Sequence, residues 1–125
     1  MRTVIVADDA ETAAAAVELA LASIPGLVVA LAGTGAEAWR LLERDAGEVC
    51  ALITDLNLPL VDGFELIARV RADARHARLP IIVISADTDP HTPQRLARLG
   101  VDAYFPKPFS PAAVRRKLEG LLHAP

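Results

Sequence analysis

Five short apolar or β-branched runs punctuate the chain: Thr3–Ala7, Leu27–Leu31, Val49–Thr54, Pro80–Ser85 and Val101–Phe105. Each precedes a longer segment whose apolar residues recur every three or four positions, the alternation expected of βα units around a parallel sheet. Three of the runs are apolar throughout, as strands covered on both faces are. Ala13, Val17, Ala20, Leu21 and Ile24 set the inward side of a first helix, and the alanines Ala13–Ala16 have the strongest intrinsic helix preference. A second helix over about Ala36–Asp45 carries Ala38, Leu41 and Leu42 on one side. The third buries Phe64, Ile67 and Ala68 and keeps Glu65, Arg69 and Asp73 on its wet face.

The later helices carry their own start and stop signals. Thr92-Pro93 and Ser110-Pro111 each place a hydroxyl N-cap before a proline at the first helical position, where the missing N–H costs nothing. Gly100 stops the fourth helix after Leu99, and Val114, Leu118 and Leu121 form the apolar stripe of the last. The predicted fold class is α/β: a (βα)₅ doubly wound, five-stranded parallel sheet, with ligands at the carboxyl ends of the strands. A single domain over residues 1–125 is expected, ending at Pro125 with no linker or second domain.

Composition removes several functions. The 125 residues carry a net charge of −3, and 13 basic residues against 16 acidic ones give none of the excess that nucleic-acid binding by charge requires. One cysteine makes no internal disulfide, and His76, His91 and His123, scattered in polar contexts, give no zinc spacing with it. Cys50 reads as a small buried hydrophobe and Trp39 as packing along the second helix. The 18 uncharged residues from Leu19 to Ala36 reach membrane-span length. Pro25-Gly26 and Gly33-Thr34-Gly35 break them into helix end, turn, strand and turn. The first residues lack a signal peptide's apolar length, so a cytoplasmic protein is expected. Gly33-x-Gly35 lacks the third glycine of a dinucleotide motif.

The remaining polar residues fall at strand ends. Asp8 and Asp9 follow the first run, Asp55 ends the third, Ser85 ends the fourth, and Lys107 lies just past the fifth. On a doubly wound sheet these ends converge on one crevice. Three crowded carboxylates need a hard divalent cation and a cationic side chain, and Mg²⁺ and Lys107 meet those two needs. Lys107 is one of only two lysines against eleven arginines. A compact ammonium suits a crowded acidic pocket better than a planar guanidinium.

VADD at 6–9, TDLNLPLVDG at 54–63, ISA at 84–86 and YFPKPF at 104–109 stand in this order along nearly the whole chain. Together they resemble the phosphoacceptor receiver domain of bacterial two-component response regulators, the CheY-like family. The resemblance implies strand order 2-1-3-4-5 and Asp55 as the nucleophile that takes a phosphoryl group from a histidine of a sensor kinase or a histidine phosphotransfer protein. It further implies Mg²⁺ held by Asp8, Asp9, Asp55 and the backbone carbonyl of Asn57. By the same resemblance Lys107 would pair with Asp55 at rest and with the phosphoryl group afterwards. Ser85 and Tyr104 would act as the switch, Ala86 would keep the entrance open, and Lys107-Pro108 corresponds to a position that in the family usually has a cis bond. A surface of the fourth helix, fifth strand and fifth helix, with Arg95, Arg98, Arg115, Arg116 and Lys117, is expected to meet a downstream protein or output domain. The expectation includes no nucleic-acid or membrane contact and leaves room for a weak or phosphorylation-dependent dimer. Asn57 and Asp87 are expected to tune water access and hence the phosphoryl lifetime.

Bland readings stand beside these. Asp8-Asp9 alone would be a solvated pair, Asp55 a turn residue, Ser85 a cap and Tyr104 plain core; Asp62-Gly63 is assigned to the turn before the third helix. The module is expected to be a signalling domain rather than an enzyme, with only self-catalysed phosphoryl transfer and autodephosphorylation. Two alternatives remain: a receiver-like adaptor that works without phosphate, and, less favoured, an aspartyl-nucleophile phosphatase. The phosphatase pattern has a second aspartate two residues after the nucleophile, where this chain has Asn57.

Overall fold

In the computed structural model, which describes residues 2–123, the five runs become strands β1 (Arg2–Ala7), β2 (Leu27–Ala32), β3 (Val49–Thr54), β4 (Ile81–Ser85) and β5 (Ala103–Pro106). They alternate with helices α1 (Glu11–Leu21), α2 (Gly35–Arg44), α3 (Gly63–Ala72), α4 (Thr92–Arg98) and α5 (Pro111–His123). All four strand pairings are parallel and the order is β2-β1-β3-β4-β5, as expected. The chain end at Pro125 lies outside the described residues.

The period-2 alternation of side chains across the sheet splits the core into two layers. Ile5, Leu52, Ile81 and Val83 point to one face, where Leu42 of α2, Leu66, Ile67 and Val70 of α3 and Leu96 of α4 cover them. Val4, Val6, Ile53, Ile82 and Ile84 point to the other and meet Val17 and Leu21 of α1 and Val114 and Leu118 of α5. The interior strands β1, β3 and β4 are therefore apolar on both faces, while the edge strand β2 leaves Val28 and Leu31 exposed.

Local signals behave largely as the sequence predicts. Asp62, read as the turn before the third helix, caps α3 through the Glu65 amide, and Thr34, read only as part of a turn, caps α2 through the Glu37 amide, each at 2.9 Å. Ser110 caps α5 through the Ala113 amide, and Gly100 ends α4 in the left-handed region at φ 76°. The uncharged stretch from Leu19 resolves into the end of α1, a turn, β2 and a second turn. Among the described residues no helix is long and apolar enough to cross a membrane.

Several expectations are corrected. The inward stripe of α3 runs through Gly63, Leu66, Ile67 and Val70, so Ala68 is exposed and Phe64 only half-buried on its flank. Asp73 leaves the wet face of α3 to pair with Arg75 at 2.7 Å in the following turn. Thr92 does not cap α4: it lies within the first turn and its hydroxyl donates to Asp87 Oδ2 at 2.9 Å. Strand β5 starts at Ala103 because the Val101 amide is still bound to Leu96 O, closing α4. Finally, His76 is not in a polar context. It is 2% exposed, and its Nε2 is the one buried side-chain nitrogen or oxygen without a partner among the described residues. Cys50 is half-buried rather than fully enclosed, and burial raises its thiol pKa, which keeps it protonated and unreactive.

The α3–β4 connection around His76 is tied by one side chain. The Arg71 guanidinium donates to the carbonyls of Leu79 and Gly100, each at 2.8 Å, and more weakly to those of His76, Ala77 and Leu99. Asp102 lies 3.7 Å away and balances the charge. This knot is at the amino ends of β4 and β5, opposite the crevice.

Candidate functional site

Backbone pairing brings the acidic residues to one place. The Asp8 amide donates to Ala32 O at the end of β2, and the Asp55 amide donates to Ala7 O at the end of β1. Parallel strands in register thus deliver Asp8, Asp9 and Asp55 to the same rim, where a carboxylate oxygen of each lies within 4.8 Å of the others. Asp8 and Asp55 are buried and Asp9 is exposed.

Lys107 enters from the far side of the rim. Its amide donates to Ser85 O at 2.8 Å, which fixes the backbone beside the end of β4, and the Lys107–Pro108 bond is cis. Its ammonium reaches Asp55 Oδ2 at 2.8 Å and Asp8 Oδ2 at 2.9 Å. Burial works to lower the ammonium pKa, but the bonds and charges of Asp55 and Asp8 outweigh it and hold Lys107 above its usual 10.5.

The other carboxylate oxygens are fixed by backbone. Asp55 Oδ1 accepts from the amides of Leu56 at 2.6 Å and Asn57 at 3.1 Å, and Asp8 Oδ1 accepts from Ala10 at 2.9 Å. One oxygen of Asp55 is therefore locked by the strand end while the other faces the ammonium. Three carboxylates against one ammonium leave two negative charges, and every donor is a hard oxygen. That donor set and charge fit a divalent cation of the Mg²⁺ type. A cavity of about 410 Å³ opens alongside, lined by Asp8, Asp9, Glu11, Ala15 and Leu31.

The expected switch residues sit next to this cluster. Ser85 is fully buried at the end of β4, and its Oγ accepts from the Asp87 amide at 3.2 Å. Tyr104 is half-buried, and its hydroxyl donates to Asp87 O at 3.2 Å. Burial, then the negative charges of Asp87 and Asp55, raise its pKa and keep the phenol neutral. Asn57 and Ala86 are exposed. The Asp87 carboxylate is turned toward α4 and bound by the Asp89 amide and the Thr92 hydroxyl. Of the expected partner-facing charges, Arg95 stacks on Phe64 at 3.7 Å and Arg115 pairs with Glu119. Among the described residues, Arg98, Arg116 and Lys117 make no ion pair.

Two contributors escaped the sequence reading. Thr54, fully buried, donates its hydroxyl to Asp55 O at 2.8 Å. Gly63 does more than make a turn, because a Cβ there would collide with the carbonyl oxygen of Asp55. The first turn of α3 lies directly on the backbone that carries the central carboxylate. The signal was a glycine just after an Asp N-cap, a position where most residues serve equally well.

Comparison with known proteins agrees with this geometry. The family model for the response regulator receiver domain matches residues 4–119. The chain is 34% identical over 118 residues to a chemotaxis protein CheY homolog of Campylobacter jejuni, covering 94% of this chain and 90% of the relative. It is 35% identical to chemotaxis protein CheY1 of Helicobacter pylori, covering 94% of each. Among solved structures, a putative response regulator from Chloroflexus aurantiacus superposes with a TM-score of 0.87 at 31% identity over 98% of each chain. The receiver domain of a Pseudomonas aeruginosa sensor histidine kinase, solved with a magnesium ion coordinated in its active-site cleft, superposes at 0.84 with 27% identity over 98% of each. Fold, cluster and comparisons agree: this chain belongs to the response regulator receiver domain family, the CheY-like signalling modules of two-component systems.

Proposed function

We propose that this receiver domain is controlled by phosphorylation of Asp55. The observation that carries the reading is the placement of the Lys107 ammonium between Asp55 Oδ2 and Asp8 Oδ2, in a cluster whose net charge calls for one divalent cation. Asp55 Oδ2, the oxygen not held by backbone amides, attacks phosphorus on a phosphohistidine of a sensor kinase or phosphotransfer protein. The O–P bond forms, the P–N bond breaks, and its electron pair returns to the imidazole. Lys107 releases Oδ2 and pairs with a phosphoryl oxygen, so a charge already in place meets the charge that develops.

Asp8, Asp9, Asp55 and the Asn57 carbonyl would hold Mg²⁺, which when bound neutralises negative charge on the phosphoryl group. The amides of Leu56 and Asn57 keep the Asp55 carboxylate from rotating, so its free oxygen stays aimed at the crevice. Ser85 donates its hydroxyl to the phosphoryl group, and Tyr104 follows the β4–α4 loop through Asp87 O. Two preexisting conformations exchange weight, and the surface of α4, β5 and α5 presents a changed face to a downstream protein. Water attack on the acyl phosphate ends the signal.

Acetyl phosphate with Mg²⁺ is the direct test. Wild type is expected to take up one phosphoryl group per chain and Asp55→Asn none. Equal labelling of the two would overturn the assignment.

A further inference from the structure

Asp87 uses every polar group it has on a neighbour that matters to the switch. Its amide donates to Ser85 Oγ at 3.2 Å, and its carbonyl accepts from the Tyr104 hydroxyl at 3.2 Å. Oδ1 accepts from the Asp89 amide at 2.8 Å and Oδ2 from the Thr92 hydroxyl at 2.9 Å. These bonds, with the nearby Arg95 charge, favour the ionised carboxylate. Thr92 is the first residue of α4 and is 3% exposed. Its hydroxyl stands where a cap would be expected, yet it serves Asp87, and α4 starts with no side-chain cap at all.

We infer that Asp87 is the positioning residue that couples the Ser85 hydroxyl to α4, with the Asp87–Thr92 hydrogen bond as the mechanical link. The inference rests on the proposed phosphorylation of Asp55. A serine hydroxyl can donate its proton to a phosphoryl oxygen while still accepting from the Asp87 amide. When Ser85 turns toward Asp55, the Asp87 backbone follows. The carboxylate then carries Thr92, and with it the amino end of α4. The loop between Ser85 and Thr92 has no glycine, and a second bond from the Asp89 amide stiffens it, so displacement passes along it instead of being absorbed. Asp87 touches neither the phosphoryl group nor Asp55 in this scheme.

The experiment uses beryllium fluoride with Mg²⁺ as an acyl-phosphate mimic, read by amide chemical shifts in the intact chain. In Thr92→Val, which keeps shape and removes the hydroxyl, the response at Ser85 and Ala86 is expected to persist. The response across residues 92–98 falls about fivefold, the size set by one hydrogen bond. Asp87→Ala gives the same split, and Thr92→Ser restores the α4 response. An undiminished α4 response in Thr92→Val would overturn the link. A second arm needs no mimic: Ser85→Ala is expected to shift α4 amides in the resting protein, and to do so far less in a Thr92→Val background. Equal shifts in both backgrounds overturn the link as well. A wild type that ignores the mimic while showing this second coupling overturns phosphorylation of Asp55 and leaves the mechanical link standing.

Discussion

Lys107 and Asp8, 99 residues apart, share a 2.9 Å hydrogen bond in which the carboxylate side chain is fully buried. The ammonium thus serves two acids at once, since Asp55 lies at 2.8 Å. Buried carboxylates cost several kcal/mol each unless paired, so this lysine is part of what lets the cluster exist before any cation binds.

The first prediction concerns pH. The folded protein holds the Lys107 pKa above the unfolded value of 10.5, so the stability it contributes is fully present below about pH 10.5 and is lost as pH rises through the folded value. Urea melts at pH 9 and pH 11.5 are expected to show wild type losing more stability across this window than Lys107→Met. A parallel fall in both proteins would show that other groups dominate.

Metal binding separates Asp9 from its neighbours. Asp9 is exposed beside two buried carboxylates. Asp9→Asn is expected to raise the metal-free Tm, because one repelling charge is gone, and to weaken Mg²⁺ binding by about tenfold or more. Calorimetric titration with Mg²⁺ reads the second effect and a thermal melt in chelator reads the first.

At Gly63 the prediction is steric. A methyl group there meets the Asp55 carbonyl, so Gly63→Ala is expected to cost about 1–3 kcal/mol and to lower labelling from acetyl phosphate. Gly47, with nothing within 4 Å of a Cβ, provides the control: Gly47→Ala should leave labelling unchanged. Chemical denaturation with labelling in the same samples checks both.

If Asp55 is phosphorylated as proposed, the lifetime of the phosphoryl group depends on access. Asn57 is exposed beside Asp55, so Asn57→Arg puts a bulky side chain over the path of attacking water and is expected to slow decay several-fold. Because the Asp87 carboxylate faces Thr92, Asp87→Ala is expected to change decay much less. Time courses after rapid removal of the phosphodonor distinguish the two positions.

Much of this was legible because it depends on local pattern. The apolar runs, the Ser110 cap, the turn at Asp62-Gly63 and the strand-end acids follow from periodicity and from which residues satisfy free amides. Asp8, Asp9, Asp55 and Lys107 could be grouped because a doubly wound sheet has one crevice. What failed depends on contacts between distant segments. Thr92 looked like a cap because Thr-Pro is a cap signal, yet Asp87 five residues earlier competes for its hydroxyl. His76 sits among arginines in sequence, and only the fold of the α3–β4 connection buries it. Gly63 and Thr54 matter through the backbone of Asp55, which has no signature in residue type.

The Arg71 knot changes how α4 should be regarded. The helix has only seven residues. Its carboxyl end is fastened at Leu99 and Gly100 by a guanidinium that also grips the α3–β4 connection, while its amino end is bound to its own β4–α4 loop, by the Thr92 hydroxyl to Asp87 and by the His91 and Thr92 amides to Asp89. The guanidinium ties the carboxyl end to a distant segment, whereas the bonds at the amino end all go to the β4–α4 loop. A short rod pinned at one end and carried by a loop at the other behaves as a lever, and in the proposed switch small displacements at the crevice become a tilt whose arc is widest at the loop end.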